Sequence, residues 1–311
     1  MGRLNRQGLS TTLDLLGEDV TTPAQAEASG DAYGAIVDAL RAHPAVPPPD
    51  SAGPRGRADG AAPGANFMVA VGLRREPIRA GSAGVDNNLS LKLTQLGLDV
   101  DTALCGRVLR RILDRASPMF VRIDMESSAH TDATLDLFGA LWAEGRRNVG
   151  VVIQAYLYRS PRDLERVLTL GARVRLVKGA YDEPPSVAYP RKADVDAAFA
   201  RLADTLLRTG TYPAIATHDE RLIDHAGRTA GAAGAGPDRF EFQMLYGIRR
   251  DLQTALRRRG HRVRVYVPFG EEWYPYFMRR LAERPANVGF VLRSLLRERA
   301  AGGPCAYWLT P

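Results

Sequence analysis

The stretch "RVRLVKGAY", residues 173–181, is a short run of β-branched and apolar residues that ends on a lysine and a glycine. Such a run is typical of a buried strand followed by a loop. Seven further runs of this kind occur along the chain, namely "STTLDLLG" (10–17), "LSLKLTQLG" (89–97), "MFVRIDME" (119–126), "GVVIQAYL" (150–157), "YPAIATHD" (212–219), "RFEFQMLYG" (239–247) and "VRVYVPFG" (263–270). The sequence therefore predicts eight strands.

Amphipathic stretches long enough to form helices separate these strands. Examples are "TPAQAEASGDAYGAIVDALRAH" (22–43), "DATLDLFGALWAEGRR" (132–147), "ADVDAAFARLADTLLRTG" (193–210) and "RRDLQTALRRRG" (249–260), many of which open on Asp or Thr and close near Gly. Strands and helices in alternation favour parallel strands, and eight such units are the number that closes a (βα)8 barrel. An open doubly wound sheet is the alternative, but no GxGxxG motif follows the first strand.

We expect one α/β barrel domain over residues 1–300, followed by a tail at 301–311. Residues 43–65, "HPAVPPPDSAGPRGRADGAAPGA", are rich in Pro, Gly and Ala and have no periodicity. They are predicted to form an inserted loop after the first helix, without a catalytic role. The segment 66–87 leads to the second strand and is predicted to contain a short strand of its own.

Composition excludes several classes of protein. The 311 residues are 45% hydrophobic and 25% charged, with a net charge of +7 and a pI near 9.6. The two cysteines, Cys105 and Cys305, have no CxxC or Cys/His spacing, which indicates a reducing compartment and no structural zinc site. The sequence has no basic stripe with interleaved aromatic residues, so it does not favour nucleic-acid binding. Without a signal-peptide core or a run of about 18 apolar residues, we predict a cytoplasmic protein.

Polar residues near the strand ends indicate a site. Active sites of barrels lie at the carboxyl ends of the strands, and six or seven strands carry a polar group there. These are Lys92, Asp124 with Met125 and Glu126, Gln154, Arg175 with Lys178, Thr217 with His218 and Asp219, Gln243, and Tyr266. Burying so many polar groups without a ligand would be costly. We therefore expect the barrel mouth to bind something polar.

The stretch "YFMRRL", residues 276–281, adds two arginines one helical turn after a tyrosine. On a helix, Tyr276, Arg279 and Arg280 share one face and form a cationic fork that suits a carboxylate or phosphate. With Lys92, Arg175 and Lys178, the fork predicts a cationic mouth for which Asp124 is the clearest counter-charge. A small anionic substrate, an anionic cofactor, or both would fit, and "LVKGAY" could hold a pyrophosphate.

Several chemistries are less well supported by the residues. The five histidines form no HExxH motif and no His/carboxylate cluster, so the sequence does not indicate a metal site. His218 could be a general base, a metal ligand or an orienting donor. No GxSxG elbow supports hydrolase chemistry. A Schiff-base aldolase or lyase that uses Lys92 or Lys178 stays open, as does a non-catalytic binding protein.

The motifs "STTLDLLGE", "LSLKLTQLGL", "VRIDMES", "VVIQAYL", "VRLVKGAY", "THD", "FEFQMLYG", "VYVPFG" and "YFMRRLAERPANVGFV" together resemble the proline dehydrogenase family, and specifically its short monofunctional bacterial form. The likeness runs from about Gly8 to about Arg297 and is interrupted mainly at 43–85. It implies a distorted (βα)8 barrel with non-covalent FAD, and an eighth helix that covers the substrate. It also implies oxidation of L-proline to 1-pyrroline-5-carboxylate, with a quinone as the electron acceptor and peripheral membrane association.

The resemblance assigns roles to particular residues. It implies that Asp124 orients the cationic groups and that Arg175 reaches the reactive nitrogen region of the flavin. The residues implied to hold the substrate are Lys92, Leu245, Tyr266, Tyr276, Arg279 and Arg280. The residues implied to contact the FAD, or to close the eighth helix over the pocket, are Met125, Gln154, Arg175, Val177, Lys178, Gly179, Ala180, Tyr181, Thr217, His218 and Glu283.

Two departures from the family stand out. Family members usually have several helices before the "STTLD" strand, whereas nine residues precede it here, so we expect either an upstream start or a version without that element. The insertion after the first helix is also unusually long for the family. Neither departure involves a residue assigned to the site.

Overall fold

Eight parallel strands form a closed barrel in chain order, and β1 pairs with β8 to complete it. The computed structural model describes residues 1–17, 20–45 and 85–270. The strands are β1 (Ser10–Leu15), β2 (Asn87–Leu91), β3 (Val121–Ile123), β4 (Val149–Gln154), β5 (Val174–Val177), β6 (Ala214–Ala216), β7 (Glu241–Leu245) and β8 (Val263–Phe269). All eight predicted strands are present, and the predicted (βα)8 barrel is confirmed.

Helices cover the outside of the barrel. They are α1 (Gly2–Arg6), α2 (Pro23–Ala42), α3 (Thr102–Ala116), α4 (Thr131–Ala143), α5 (Ser160–Thr169), α6 (Lys192–Thr209), α7 (Glu220–Ala232) and α8 (Arg250–Arg258), with short 3₁₀ turns at Thr94–Leu96 and Ser128–His130. One helix follows each of the first seven strands, and α1 precedes β1. The four helices predicted from the sequence correspond to α2, α4, α6 and α8.

Side-chain caps begin several of these helices. Thr22 and Gln25 form a reciprocal capping box at the start of α2, where Pro23 occupies the first turn. Asp101 and Asp219 cap α3 and α7 by accepting from backbone N–H groups two residues further on. The cap of α7 matters for the site, because Asp219 lies directly after the strand-end residues Thr217 and His218.

The two faces of the strands differ sharply in polarity. Outward residues are apolar and pack against the helices, as Leu89, Val151 and Phe242 do in the main core. The inward face carries a buried polar set instead, namely Thr12, Asp14, Asn88, Ser90, Lys92, Arg122, Gln154, Arg175, Glu241, Gln243 and Arg264. Barrels are usually filled by layers of branched apolar side chains, so this polar interior is unusual and indicates a functional site.

The lower part of the barrel is closed by ion pairs. Arg264 of β8 donates to both oxygens of Glu241 on β7, at 2.8 and 3.1 Å, and to Asp86, which precedes β2, at 2.8 Å. It also donates to the Thr11 carbonyl of β1 at 2.8 Å. Burial alone would raise the pKa of Glu241, but Arg264 and Gln243 bring that pKa down to about 2. The floor beneath the site is therefore charged and internally paired.

Candidate active site at the barrel mouth

Asp124 lies at the centre of the polar network at the carboxyl end of the barrel. Directly after β3, its Oδ1 accepts from Arg175 Nη1 at 2.5 Å and from Ser90 Oγ at 2.7 Å. Its Oδ2 accepts from the Tyr266 hydroxyl at 2.9 Å. Three strands besides β3 thus supply donors to one carboxylate. The predicted residues Asp124, Arg175 and Tyr266 come together as expected, whereas Ser90 was not among the predicted site residues.

Arg175 is the buried cation of this network. Its side chain is only 5% exposed, and its Nε donates to Gln243 Oε1 at 2.6 Å. The guanidinium also lies 5.3 Å from the centre of the Tyr266 ring. Its second terminal nitrogen, Nη2, is buried and has no hydrogen-bond partner among the described residues. A buried guanidinium nitrogen without an acceptor is uncommon, and it fits a ligand that supplies one.

Lys92 forms a buried ion pair that the sequence did not reveal. Its Nζ lies 2.8 Å from Asp14 Oδ2, and the two side chains are 6% and 0% exposed. Burial raises the pKa of Asp14, while the Lys92 ammonium opposes that change. Asp14 was missed because an Asp inside "STTLDLLG" gave no sign that it faces a lysine on the neighbouring strand.

The end of β5 forms a tight corner. Gly179 has a φ of +113°, and a Cβ placed on it would lie 2.2–2.6 Å from atoms of the Tyr156 ring. Only glycine can bring the backbone this close to the ring. Backbone bonds fasten the corner, because Tyr156 N donates to Lys178 O at 2.9 Å and Ala155 N donates to Val177 O at 2.8 Å. The predicted cofactor residues Ala180 and Tyr181 follow in the same partly exposed loop.

Lys178 joins two carboxylates at this corner. Its Nζ donates to Asp196 Oδ1 at 2.6 Å and to Asp219 Oδ2 at 3.1 Å. An open cavity of about 580 Å³ lies beside these groups, between the first turns of α6 and α7. It is lined by Lys192, Ala193, Asp196, Asp219, Arg221 and Leu222. Lys192 is also paired with Asp196, so the two helix N-termini are the groups here that suit phosphate oxygens.

His218 is held in one tautomer. Leu245 N donates to His218 Nε2 at 3.0 Å, so the proton of the neutral ring sits on Nδ1. Burial, and secondly the Arg249 charge, lower the pKa of His218 to about 4. The ring is therefore a neutral hydrogen-bond donor at neutral pH. This geometry agrees with an orienting role among the three that the sequence left open.

Leu245 and the β3 to β4 side complete the mouth. Leu245, at the end of β7, is 42% exposed, which is unusual for a large apolar residue and leaves a surface for an apolar part of a ligand. Met125 and Gln154 are buried, and Gln154 Nε2 donates to Glu126 O at 2.8 Å. Glu126 in turn accepts from Thr94 N at 3.1 Å, and burial raises its pKa.

In the described part of the mouth, the predicted cations are paired with carboxylates. Lys92, Arg175 and Lys178 each have a carboxylate partner. The counter-charges Asp14 and Asp196 were not foreseen. The remaining predicted site residues, namely Tyr276, Arg279, Arg280 and Glu283, lie outside the described residues, as do most of the predicted insertion (46–65) and the tail (301–311).

Residues 1–17, 20–45 and 85–270 contain neither a metal-binding cluster nor a membrane-spanning helix. Nowhere in these ranges do three or more His, Cys, Asp or Glu side chains come together in a group that could hold a metal ion. None of the helices in them is both long enough and apolar enough to span a membrane.

Comparison with known proteins identifies relatives over nearly the whole chain. A family model described as proline dehydrogenase matches residues 1–293. The chain is 40% identical to a proline dehydrogenase of Deinococcus radiodurans over 302 residues, which are 94% of this chain and 84% of that protein. It is 37% identical to proline dehydrogenase 1 of Bacillus subtilis strain 168 over 298 residues, which are 95% of this chain and 85% of that one.

Solved structures give the same result for the fold. A crystal structure of proline utilization A from Bdellovibrio bacteriovorus, inactivated by N-propargylglycine, matches with a TM-score of 0.73 and 25% identity, covering 99% of this chain and 34% of that one. Proline utilization A from Corynebacterium freiburgense matches with a TM-score of 0.68 and 22% identity, covering 99% of this chain and 32% of that one. This chain spans about a third of these longer proteins.

Proposed function

The chain belongs to the proline dehydrogenase family, and we propose that the mouth of its barrel holds FAD and L-proline against each other around the Asp124 and Arg175 pair. The protein is an enzyme of proline catabolism that oxidises proline. Its product is 1-pyrroline-5-carboxylate, and a quinone reoxidises the flavin.

Arg175 supports the flavin assignment most directly. Its Nη2 is buried without a partner among the described residues, while Nε and Nη1 are already held by Gln243 and Asp124. Because the bonds of Nε and Nη1 hold the guanidinium in place, Nη2 is left to donate to an acceptor atom on the cofactor. When bound, the flavin supplies a two-electron acceptor that takes a hydride from the substrate. A cation beside that acceptor favours the negative charge that arrives with the hydride.

The corner at the end of β5 and the cavity beside it suit the rest of the dinucleotide. Gly179 lets the backbone approach closely, and the N-termini of α6 and α7 supply backbone N–H donors beside the paired Lys178 and Lys192. Thr217 and the Nδ1 proton of His218 supply neutral polar groups at the adjacent strand end. We assign Val177, Ala180, Tyr181, Met125 and Gln154 to the same cofactor on the basis of the resemblance and their place at the mouth.

Proline is assigned to the side of the mouth formed by Lys92, Tyr266 and Leu245. Leu245 and the Tyr266 ring offer apolar surface to a saturated ring. Lys92 alone cannot anchor a carboxylate strongly, because Asp14 already satisfies part of its charge. The proposal therefore relies on Arg279 and Arg280 as the main carboxylate contacts, with Tyr276 beside them and Glu283 closing the same helix, as the resemblance implies.

The protonation state of proline is the chemical reason for this arrangement. A hydride leaves the carbon next to the ring nitrogen only if that nitrogen has a lone pair to form the C=N bond, so the amine must lose its proton first. A site that binds the carboxylate without offering a free carboxylate to the amine favours the neutral form. Asp124 meets this condition, because its two oxygens already accept from Arg175, Ser90 and Tyr266.

The ion pairs argue against the Schiff-base alternative. A lysine nucleophile must be a neutral amine, which burial without a counter-charge would favour. Lys92 instead faces Asp14 at 2.8 Å, and Lys178 faces Asp196 at 2.6 Å and Asp219 at 3.1 Å. Each carboxylate stabilises the protonated amine. Neither lysine is arranged as a nucleophile.

The visible spectrum of the purified protein tests the proposal. We expect the absorption bands of oxidised flavin, which L-proline bleaches under anaerobic conditions and a soluble quinone analogue restores. N-propargylglycine, which inactivated the Bdellovibrio relative, is expected to inactivate this enzyme as well. A folded, colourless protein that borohydride links to its substrate would overturn the assignment.

A pair of variants tests the role of Arg175. Arg175→Lys keeps the charge but loses the forked donors, so we expect kcat/KM for proline to fall about 30-fold, the equivalent of about 2 kcal/mol for a charged hydrogen bond. Arg166→Lys is the matched control, because Arg166 forms an exposed ion pair with Asp136 on the outer helices. Equal activity in both variants would remove Arg175 from the site.

A further inference from the structure

Arg122 is a buried cation directly beneath the site. It lies on β3 two residues before Asp124, so both side chains are on the inner face of the same strand, with Cα atoms about 7 Å apart. It is 2% exposed. Neither the family resemblance nor the site described above gives this residue a role.

The bonds of Arg122 are made to uncharged groups. Its Nη1 donates to the carbonyls of Arg173 at 2.8 Å and Val151 at 3.2 Å, and its guanidinium carbon lies 4.7 Å from the centre of the Phe120 ring. Its Nε is buried and has no partner among the described residues. Within the described chain, no carboxylate oxygen lies within 4 Å of it, unlike Arg175 and Arg264.

The local chain is shaped to hold this arginine. Gly150 of β4 is the register partner of Arg122. A Cβ at Gly150 would lie 2.5 Å from Arg173 O, 2.6 Å from the Phe120 ring and 2.8 Å from Arg122 Nη1. A glycine in a strand interior costs stability, and here it makes room for a buried guanidinium. The local packing around Gly150 therefore accommodates the Arg122 side chain specifically.

Charged groups face Arg122 both from the floor of the barrel and from the mouth. Burial, and then the nearby Arg175 and Arg173 charges, lower its pKa, yet a guanidinium starts so high that it stays protonated. Glu241 on the floor side and Asp124 on the mouth side both attract the Arg122 charge. Both Glu241 oxygens are also engaged by Arg264, with Gln243 and Tyr212 sharing them. In a medium of low dielectric, such a charge acts over several ångströms.

We infer that Arg122 is a positioning residue that favours negative charge at the barrel mouth. It acts on the space above Asp124 and Arg175, where the hydride arrives. A hydride brings one negative charge, so a cation fixed below the acceptor favours the reduced state. This inference rests on the proposed flavin site.

The midpoint potential of the bound flavin tests this role, with no need for an activity assay. Arg122→Gln keeps a hydrogen-bond donor for the carbonyls but removes the charge. We expect it to lower the two-electron potential by about 30 mV or more, which is a tenfold change in the equilibrium for a two-electron couple. Arg122→Lys keeps the charge and is expected to retain most of the wild-type potential.

Arg147→Gln is the matched control. Arg147 also donates to a backbone carbonyl, that of Trp142 at 2.6 Å, and stacks on an aromatic ring at 4.4 Å, but it is exposed and lies on the outside of the barrel. Its variant should leave the potential unchanged. An unmoved potential in Arg122→Gln, or an equal fall in Arg122→Lys, would overturn the inference, because the effect would then not follow the charge.

A second variant covers the case in which Arg122→Gln does not fold. Glu241→Gln removes a negative charge near the same arginine while keeping its shape, and should raise the potential. The inference is overturned if this potential stays level or falls. A wild-type protein that binds no flavin would overturn the proposed function and this inference together, whereas a flavin-bearing protein with an unmoved potential would overturn only the latter.

Discussion

His218 should make the stability of this protein depend on pH in a way that one substitution removes. Its pKa is about 4 in the folded protein, against an ordinary value of 6.5, because burial and then Arg249 disfavour the charged ring. Between these values the unfolded chain takes up a proton that the folded chain does not, so the free energy of unfolding falls as the pH falls. The contribution is complete above pH 6.5.

The magnitude follows from the width of that window. Each pH unit inside it changes the free energy of unfolding by at most about 1.4 kcal/mol. From pH 6.5 to 5, His218 should therefore remove at most about 2 kcal/mol of stability. His218→Gln places an amide oxygen where Nε2 accepts from Leu245 N, which keeps the hydrogen bond but abolishes the titration. The variant should lose up to about 2 kcal/mol less than the wild type over this range.

Urea unfolding of the two proteins at pH 6.5, 6 and 5, with extrapolation to water, measures this difference directly. His218→Asn is the control, because its shorter amide cannot reach the position of Nε2. It should be less stable than His218→Gln at every pH, with the same flat dependence. If His218→Gln and the wild type lose stability in parallel between pH 6.5 and 5, then His218 is not the buried neutral ring that its contacts indicate.

Three further predictions concern the mouth. Tyr266→Phe removes the hydroxyl that donates to Asp124 at 2.9 Å, and should lower kcat/KM for proline about tenfold or more; unchanged kinetics would contradict a role for that bond. Lys92→Met leaves Asp14 buried without its counter-charge and should cost about 3–5 kcal/mol in denaturant unfolding, while the double variant with Asp14→Asn should recover at least half of that loss; equal losses would refute the pairing. Gly179→Ala forces a Cβ against an aromatic ring at positive φ and should lower the flavin content of the purified protein, whereas Gly171→Ala, also at positive φ but with open space around it, should retain the flavin.

The barrel could be predicted from the sequence because its signals are local. Each strand is a short apolar run, each helix has its own period and several have their own caps, and eight units close in only a few ways. The rule that active sites lie at the carboxyl ends of the strands then brought Asp124, Arg175 and Tyr266 to one place, and the structure joins them by direct hydrogen bonds. Predicting that these residues lie at one end of the barrel required only the chain direction and the parallel pairing of the strands. It did not require any distance between side chains.

The pairing of charges could not be read in this way. Lys92 and Asp14 are 78 residues apart, and Arg175 and Asp124 are 51 apart. Which cation meets which carboxylate depends on strand register and on the stagger of the closed barrel, and a shift of one residue would turn each side chain to the other face. The sequence shows which positive residues lie at the mouth, whereas the structure shows that Lys92, Arg175 and Lys178 are each paired with a carboxylate.

The order of the strands, the closed barrel and the end at which polar groups collect can therefore be derived from the sequence, since these follow from local periodicity and chain direction. Three features depend on the folded barrel: Asp124 accepts from three strands at once, His218 is neutral, and Arg122 lies buried without a carboxylate partner among the described residues. These are properties of distances and of solvent exclusion, which exist only once the barrel has closed.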